Sequence, residues 1–139
     1  MRSLLSFLAV FFALECFGKP FDYDPQDAMF IEASIQVERK SRKLPTMRVD
    51  QGLSCAAQIH VMDIGNREVC SHKGKYGISF LYRAKKCGTM LSVGSEVVGC
   101  KSQFSIETLR RYQKVLYSTG YNKFGCDAYR DYWVCVFGR

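Results

Sequence analysis

Ile31 and Ile35, flanked by Ala28 and Glu38, recur at the i, i+4 spacing that gives a helix one apolar face. Asp24-Pro25-Gln26-Asp27 just ahead of them is a helix start: an Asp cap, proline at the first helical position, and an acid meeting the dipole. The helix should stop near Lys43, because Pro45 disfavours helical geometry at Leu44. Asp50 caps a second helix, with Leu53, Ala57 and Ile64 as its buried stripe and Gly65 as its natural stop. Beyond the loop from Cys70 to Gly77, the stretch Ile78 to Lys86 suits a short helix or a strand equally. Thr89 to Val98 is rich in β-branched residues and broken by Gly94, which predicts two short strand pieces around a turn. Ser105 caps a further helix with Leu109, Tyr112 and Leu116 on one side and Arg110, Arg111 and Lys114 on another.

From Tyr132 to Phe137 every residue is apolar, and so short a run reads as a central strand buried on both faces. Helices on both sides of a small sheet supply that burial, which predicts an α+β chain folded as a three-layer α-β-α sandwich. No internal repeat, low-complexity tract or linker interrupts it.

The opening, MRSLLSFLAVFFALECFG, has a basic residue in front, an apolar stretch from Leu4 to Leu14, and small residues at Cys16 and Gly18. It reads as a secretory signal peptide, residues 1–18, leaving one domain over 19–139. A membrane anchor fits less well, since the apolar run falls short of the ~20 residues that a bilayer requires. Cleavage removes Cys16 and leaves an even set: Cys55, Cys70, Cys87, Cys100, Cys126 and Cys135. In a secreted chain that predicts three disulfides, and no Cys-x-x-Cys spacing supports zinc.

The net charge of +7 survives cleavage, because the leader carries one base, Arg2, and one acid, Glu15. The bases cluster at Arg39 to Arg48, Arg83 to Lys86 and Arg110 to Lys114. Such a charge favours encounter with anionic surfaces such as lipid headgroups, sulfated glycans or nucleic acid, although solvated helix faces that keep a secreted protein soluble are the favoured account of it. No Asn-x-Ser/Thr sequon is present, so N-glycosylation is not expected.

The stretch VERKSRKLPTMRVDQGLSCAAQIHVMDIGNREVCSHKG, residues 37–74, places two helices about a proline break and ends in Ser71-His72-Lys73-Gly74. Leu44-Pro45, Val49-Asp50, Leu53-Ser54, Ala56-Ala57-Gln58, His60 and Asp63 fall within it. Downstream come Gly94-Ser95-Glu96-Val97, the helix from Ser105 to Lys114, Phe124-Gly125-Cys126 and the strand from Tyr132 to Gly138. In this order these pieces resemble the CAP domain, the superfamily of cysteine-rich secretory proteins, antigen 5 and plant pathogenesis-related 1 proteins, from about Met29 to Gly138. The resemblance implies the CAP type of α-β-α sandwich, stabilised by disulfides, and a closing hairpin; Cys126 and Cys135 flank a predicted turn containing Asp127, Ala128 and Tyr129 and are expected to pair across it. Well-conserved members bring two histidines and two acids together in a central cavity that can hold a divalent metal. By motif, His72 matches the first histidine and Glu96 the acid of the Gly-Glu-Asn turn, while Glu107 matches the second acid loosely. The second histidine has no counterpart between Tyr112 and Lys123, and the family position of His60 faces helix packing.

A zinc site takes three or four protein ligands, so a cavity holding His72 and Glu96 is short of ligands. No metal, cofactor or catalytic residue is therefore expected, and a hydrogen-bonded His72–Glu96 pair ordering the loop is the favoured reading. Ser71 adjoins His72, but sequence neighbours in a loop rarely face each other, and oxidised cysteines offer no thiolate. What remains is a secreted, extracellular binding protein, expected to be a monomer, whose partner is an anionic surface, lipid, glycan or protein. The alternative is a small secreted ribonuclease with His72 and Glu96 as acid and base and Arg110 or Arg111 on phosphate.

Overall fold

The computed structural model describes residues 23–139. The signal-peptide reading, Lys19 as the mature start and Cys16 lie outside the described residues. Helix α1 spans Pro25–Ser41, and its start follows the sequence rule: Asp24 accepts from the Gln26 amide and Pro25 opens the helix. Strand β1, Arg48–Val49, leads to α2, Gln51–Arg67, where Asp50 caps by accepting from the Leu53 amide. The stretch left open between helix and strand is helix α3, Phe80–Lys86, capped by Ser79. Strand β2 is Gly94–Gly99, and the short helices α4, Ile106–Leu109, and α5, Gln113–Leu116, follow. Strands β3, Lys123–Tyr129, and β4, Tyr132–Gly138, close the chain.

The sheet runs β1-β3-β4-β2, with β4 antiparallel to both neighbours and β1 parallel to β3. Side chains alternate across it and divide the core in two. Trp133, Cys135 and Phe137 of β4 join Ile31, Ile35, Leu109 and Leu116 on the face covered by α1, α4 and α5. Tyr132, Val134 and Val136 join Leu53, Ala57, Ile64 and Ala84 on the face covered by α2 and α3. This is the three-layer α-β-α sandwich expected of the chain, with Tyr132 to Phe137 as its central strand.

Four local expectations change. Gly65 does not stop α2, which runs on to Arg67 and ends at Glu68 in the left-handed conformation. A Cβ at Gly65 would stand 2.7 Å from the Tyr129 ring, so this glycine serves close packing against the sheet. Gly94 opens one continuous strand rather than dividing two, and a Cβ there would stand 2.9 Å from the Phe137 carbonyl oxygen across the ladder. The helix after Ser105 breaks into α4, a 3-10 turn at Arg110–Tyr112, and α5, and Tyr112 stands exposed instead of joining the buried stripe. The hairpin turn falls at Arg130 and Asp131, since residues 127–129 are still paired in β3.

Three disulfides tie these layers: Cys55–Cys87, Cys70–Cys100 and Cys126–Cys135. The last joins residues directly opposite in the β3–β4 ladder. Cys55–Cys87 joins α2 to the end of α3, and Cys70–Cys100 ties the loop between them to the residue after β2.

Candidate functional site

Glu96 lies on β2 with its side chain turned to the α2 layer, alternating with Val97 on the other face. Only 1% of that side chain is exposed. Burial pushes its carboxyl pKa up, opposed by its charged neighbours. Arg83 Nη2 from α3 donates to Oε2, and Nη1 of the same guanidinium donates to the Ile78 carbonyl at 2.9 Å. Across the carboxylate, His72 Nδ1 lies 3.2 Å from Oε1. The His72 side chain is 66% exposed, so it covers the acid from the solvent side.

The loop that presents His72 is held by its own backbone. The Ser71 hydroxyl accepts from the Lys73 amide, Gly74 donates to the Ile78 carbonyl, and Asp63 of α2 accepts from the Lys75 amide. The Ser71 hydroxyl therefore works as a turn former. All six cysteines in the described region are in disulfides, so none supplies a thiolate.

His60 belongs to this cluster, which the sequence reading did not foresee. It is fully buried on α2, with Nε2 bonded to the Ser71 carbonyl at 2.7 Å and 3.7 Å from Glu96 Oε1. Burial, then the charge of Arg83, lowers its pKa to about 4, so the ring is neutral. The signal was present: His60 falls one turn before Ile64 and two turns after Leu53, on the stripe already assigned to the core. Arg83 was missed for the opposite reason, because it stands among Lys85 and Lys86 in what reads as a solvated basic run.

Glu107 does not join His72 and Glu96. It is exposed on α4, in the opposite layer, where its charge acts on Arg110. Arg110 itself is bonded to Glu38 of α1 by two contacts, at 3.0 and 2.9 Å. With Tyr117 also donating, Glu38 has a pKa lowered to about 2. Arg110, one of the two arginines that the ribonuclease alternative offered to phosphate, is thus engaged across the sheet from His72. Among the described residues no group of three or more His, Cys, Asp or Glu side chains is placed to hold a metal ion.

Beside the cluster, a groove of about 350 Å³ opens between α2, the 74–78 loop and α3. Ile59, Ile78, Tyr76 and Tyr82 give it apolar walls, His60 and Arg83 line it with their buried side chains, and Lys75 and Lys86 stand at it too. The volume falls within the range of small-ligand pockets, about 300 to 1,000 Å³.

No curated protein matches the chain by sequence. Solved structures share its fold. An outer surface protein of Borrelia burgdorferi superposes with a TM-score of 0.71 at 18% identity, covering 83% of this chain and 93% of that one. An extracellular protein containing an SCP domain from Bacillus anthracis gives 0.74 at 17% identity over 82% of this chain. A cysteine-rich secretory protein of Staphylococcus aureus gives 0.66 at 16% identity over 87%. The match spans 40% of each of the latter two. The model of the cysteine-rich secretory protein family, CAP, matches residues 34–137, three quarters of the sequence and nearly all of the sandwich described above. The chain therefore belongs to the CAP family.

Proposed function

We propose that this chain is a secreted, extracellular binding protein, that the groove between α2 and α3 is its ligand site, and that His72 and Glu96 do no catalysis. The observation that carries the reading is the occupancy of Glu96. Arg83 takes one carboxylate oxygen and His72 the other, in a side chain closed to solvent. A general acid or base must reach the proton it transfers, and a metal ligand must offer a free lone pair. With both oxygens already bonded and the side chain closed to solvent, Glu96 is poorly placed for either task, and the Arg83 guanidinium is its counter-cation.

Secretion is supported by the leader-like first 18 residues, by three disulfides and by the extracellular descriptions of the structural neighbours. No helix among the described residues is long and apolar enough to cross a membrane. Partners of the classes that charge suggests, anionic lipid surfaces and sulfated glycans, can approach the lysines beside the groove.

The test uses the fluorophore 8-anilinonaphthalene-1-sulfonate as an apolar probe, with the folded Ile59→Glu variant as control. Ile59 is 42% exposed in the groove wall, so a charge there spoils the wall without unfolding the helix. One saturable site in the wild type, lost in the variant, is expected, together with no cleavage of RNA. Binding indifferent to Ile59→Glu, or RNA cleavage abolished by His72→Ala, would overturn the reading.

A further inference from the structure

The helix break after Leu109 leaves a run of side chains outside the core. From Arg110 to Lys114 every residue is exposed, where a continuous helix on this surface would bury one in three or four. Three of the five are bases, and a concavity of about 410 Å³ opens along Arg111, Tyr112, Gln113, Lys114 and Val115. The end of α1 brings a fourth base to them. Arg42 and Arg110, far apart in sequence, both reach Glu38: Arg42 Nε lies 3.3 Å and Arg110 Nε 3.0 Å from the same oxygen, Oε1. Tyr117 Oη donates to that oxygen as well, and the Tyr117 ring lies 4.0 Å beneath the Arg42 guanidinium. Two guanidiniums thus share one carboxylate that stays ionised at pH 7, and each is held in place with about half of its side chain in water, 52% and 44%. Glu107 is the other acid whose charge reaches Arg110. Against these two acids stand Arg42, Arg110, Arg111 and Lys114, so the patch keeps a positive excess.

We infer that this patch, made by the end of α1 and the turn from Arg110 to Lys114, is a docking surface for a sulfated glycan. It lies in the layer opposite the groove, so the inference takes the secreted reading as given and does not use the groove. A guanidinium offers a sulfate the same pair of parallel donors that it offers a phosphate. The bases exposed beside the groove are lysines, and the arginine there, Arg83, is buried against Glu96. An exposed ion pair contributes at most about 1 kcal/mol, so a single small anion is held weakly and a linear polyanion that meets several of these bases at once is held well. A bilayer needs apolar side chains to take in, and of the large apolar side chains on α4, the turn and α5 only Tyr112 is exposed. In the oxidising space outside the cell, to which three disulfides suit the chain, glycans are the linear polyanions at hand.

The experiment is a titration of a fluorescent heparin-derived octasaccharide with the mature protein, followed by anisotropy at about 0.15 M salt. Two charge-swapped proteins are compared, Arg111→Glu with Lys114→Glu and Lys85→Glu with Lys86→Glu. All four side chains are exposed and both pairs move the net charge equally, so a general charge effect would weaken both alike. The wild type should bind saturably, the Arg111/Lys114 protein at least about tenfold more weakly, and the Lys85/Lys86 protein within about threefold of the wild type. The neutral pair Arg111→Gln with Lys114→Gln should give an intermediate loss at an unchanged thermal midpoint, which keeps the test open if the charge-swapped protein does not fold. No saturable binding, equal losses in the two charge-swapped proteins, or a larger loss in the Lys85/Lys86 protein would each overturn the inference. So would tighter binding of phosphatidylserine vesicles or of single-stranded DNA of matched charge. Ile59→Glu should leave octasaccharide binding within about threefold of the wild type. If the anilinonaphthalene probe fails while the octasaccharide still binds through Arg111 and Lys114, the groove reading falls and this one stands.

Discussion

Asp127 is the least comfortable side chain in the core. It is 3% exposed on β3 and accepts from Tyr23 Oη at 2.8 Å and from the Ala128 amide. Burial raises its pKa from 3.8 to about 6, and Glu32 and Asp27 add to the rise. The folded chain therefore holds this proton over a window, from about pH 4 to 6, in which the unfolded chain has lost it. The resulting stability is full below pH 4 and is lost as pH rises through 6. Asp127→Asn should be nearly neutral at pH 4 and stabilising at pH 7 by on the order of 2 kcal/mol. Urea denaturation of both proteins at the two pH values measures this, and a difference independent of pH contradicts it. Glu96 and His72 give a second contrast. Glu96→Gln leaves Arg83 charged and buried without its anion and should cost about 3 to 5 kcal/mol. His72→Ala removes one bond from a side chain mostly in water and should cost about 1 kcal/mol. The reverse order in thermal denaturation would show that the loop, not the buried pair, organises the site.

At the scale of elements, α2 packs backbone to backbone against β3. A Cβ on Gly125 would lie 2.2 Å from the Ser54 amide nitrogen and 2.5 Å from the Leu53 carbonyl carbon, both backbone atoms of α2. Gly125→Ala should therefore cost about 3 kcal/mol. Gly120→Ala, whose new methyl would meet only the Ser118 hydroxyl at 3.4 Å, should change little. Equal midpoints in denaturant would mean that helix and strand can part without loss. The helix starts at Asp24, Asp50 and Ser105 were legible because capping is local: each side chain accepts from an amide two or three residues on, whereas Ser79, which caps α3 in the same way, was not read as a cap. The stops were less so. Gly65 and Gly94 are required by partners far along the chain, Tyr129 and Phe137, and nothing nearby distinguishes such a glycine from a helix or strand breaker. Arg39 shows the same limit. It reads as part of a solvated basic run, yet it is buried, donating to the carbonyls of Pro45, Leu116 and Ser118. It thereby fastens α1 to the end of α5.

For the whole molecule, the layer order was legible from one apolar strand and the helices around it, and the family from motifs in sequence order. The candidate site was legible only in part. His72 and Glu96 meet as their motifs implied, but the residues that decide what the pair can do come from α2 and α3, where a buried histidine resembles core and a buried arginine resembles surface. The central claim is that an internal cation, Arg83, holds the acid that a metal-binding cavity would need. Calorimetric titration of the purified mature protein with zinc tests this most directly. The account predicts no stoichiometric binding tighter than about 10 µM, far weaker than complete protein zinc sites achieve. One equivalent of zinc bound more tightly than that, and lost on His72→Ala or Glu96→Gln in a protein that remains folded, would contradict it.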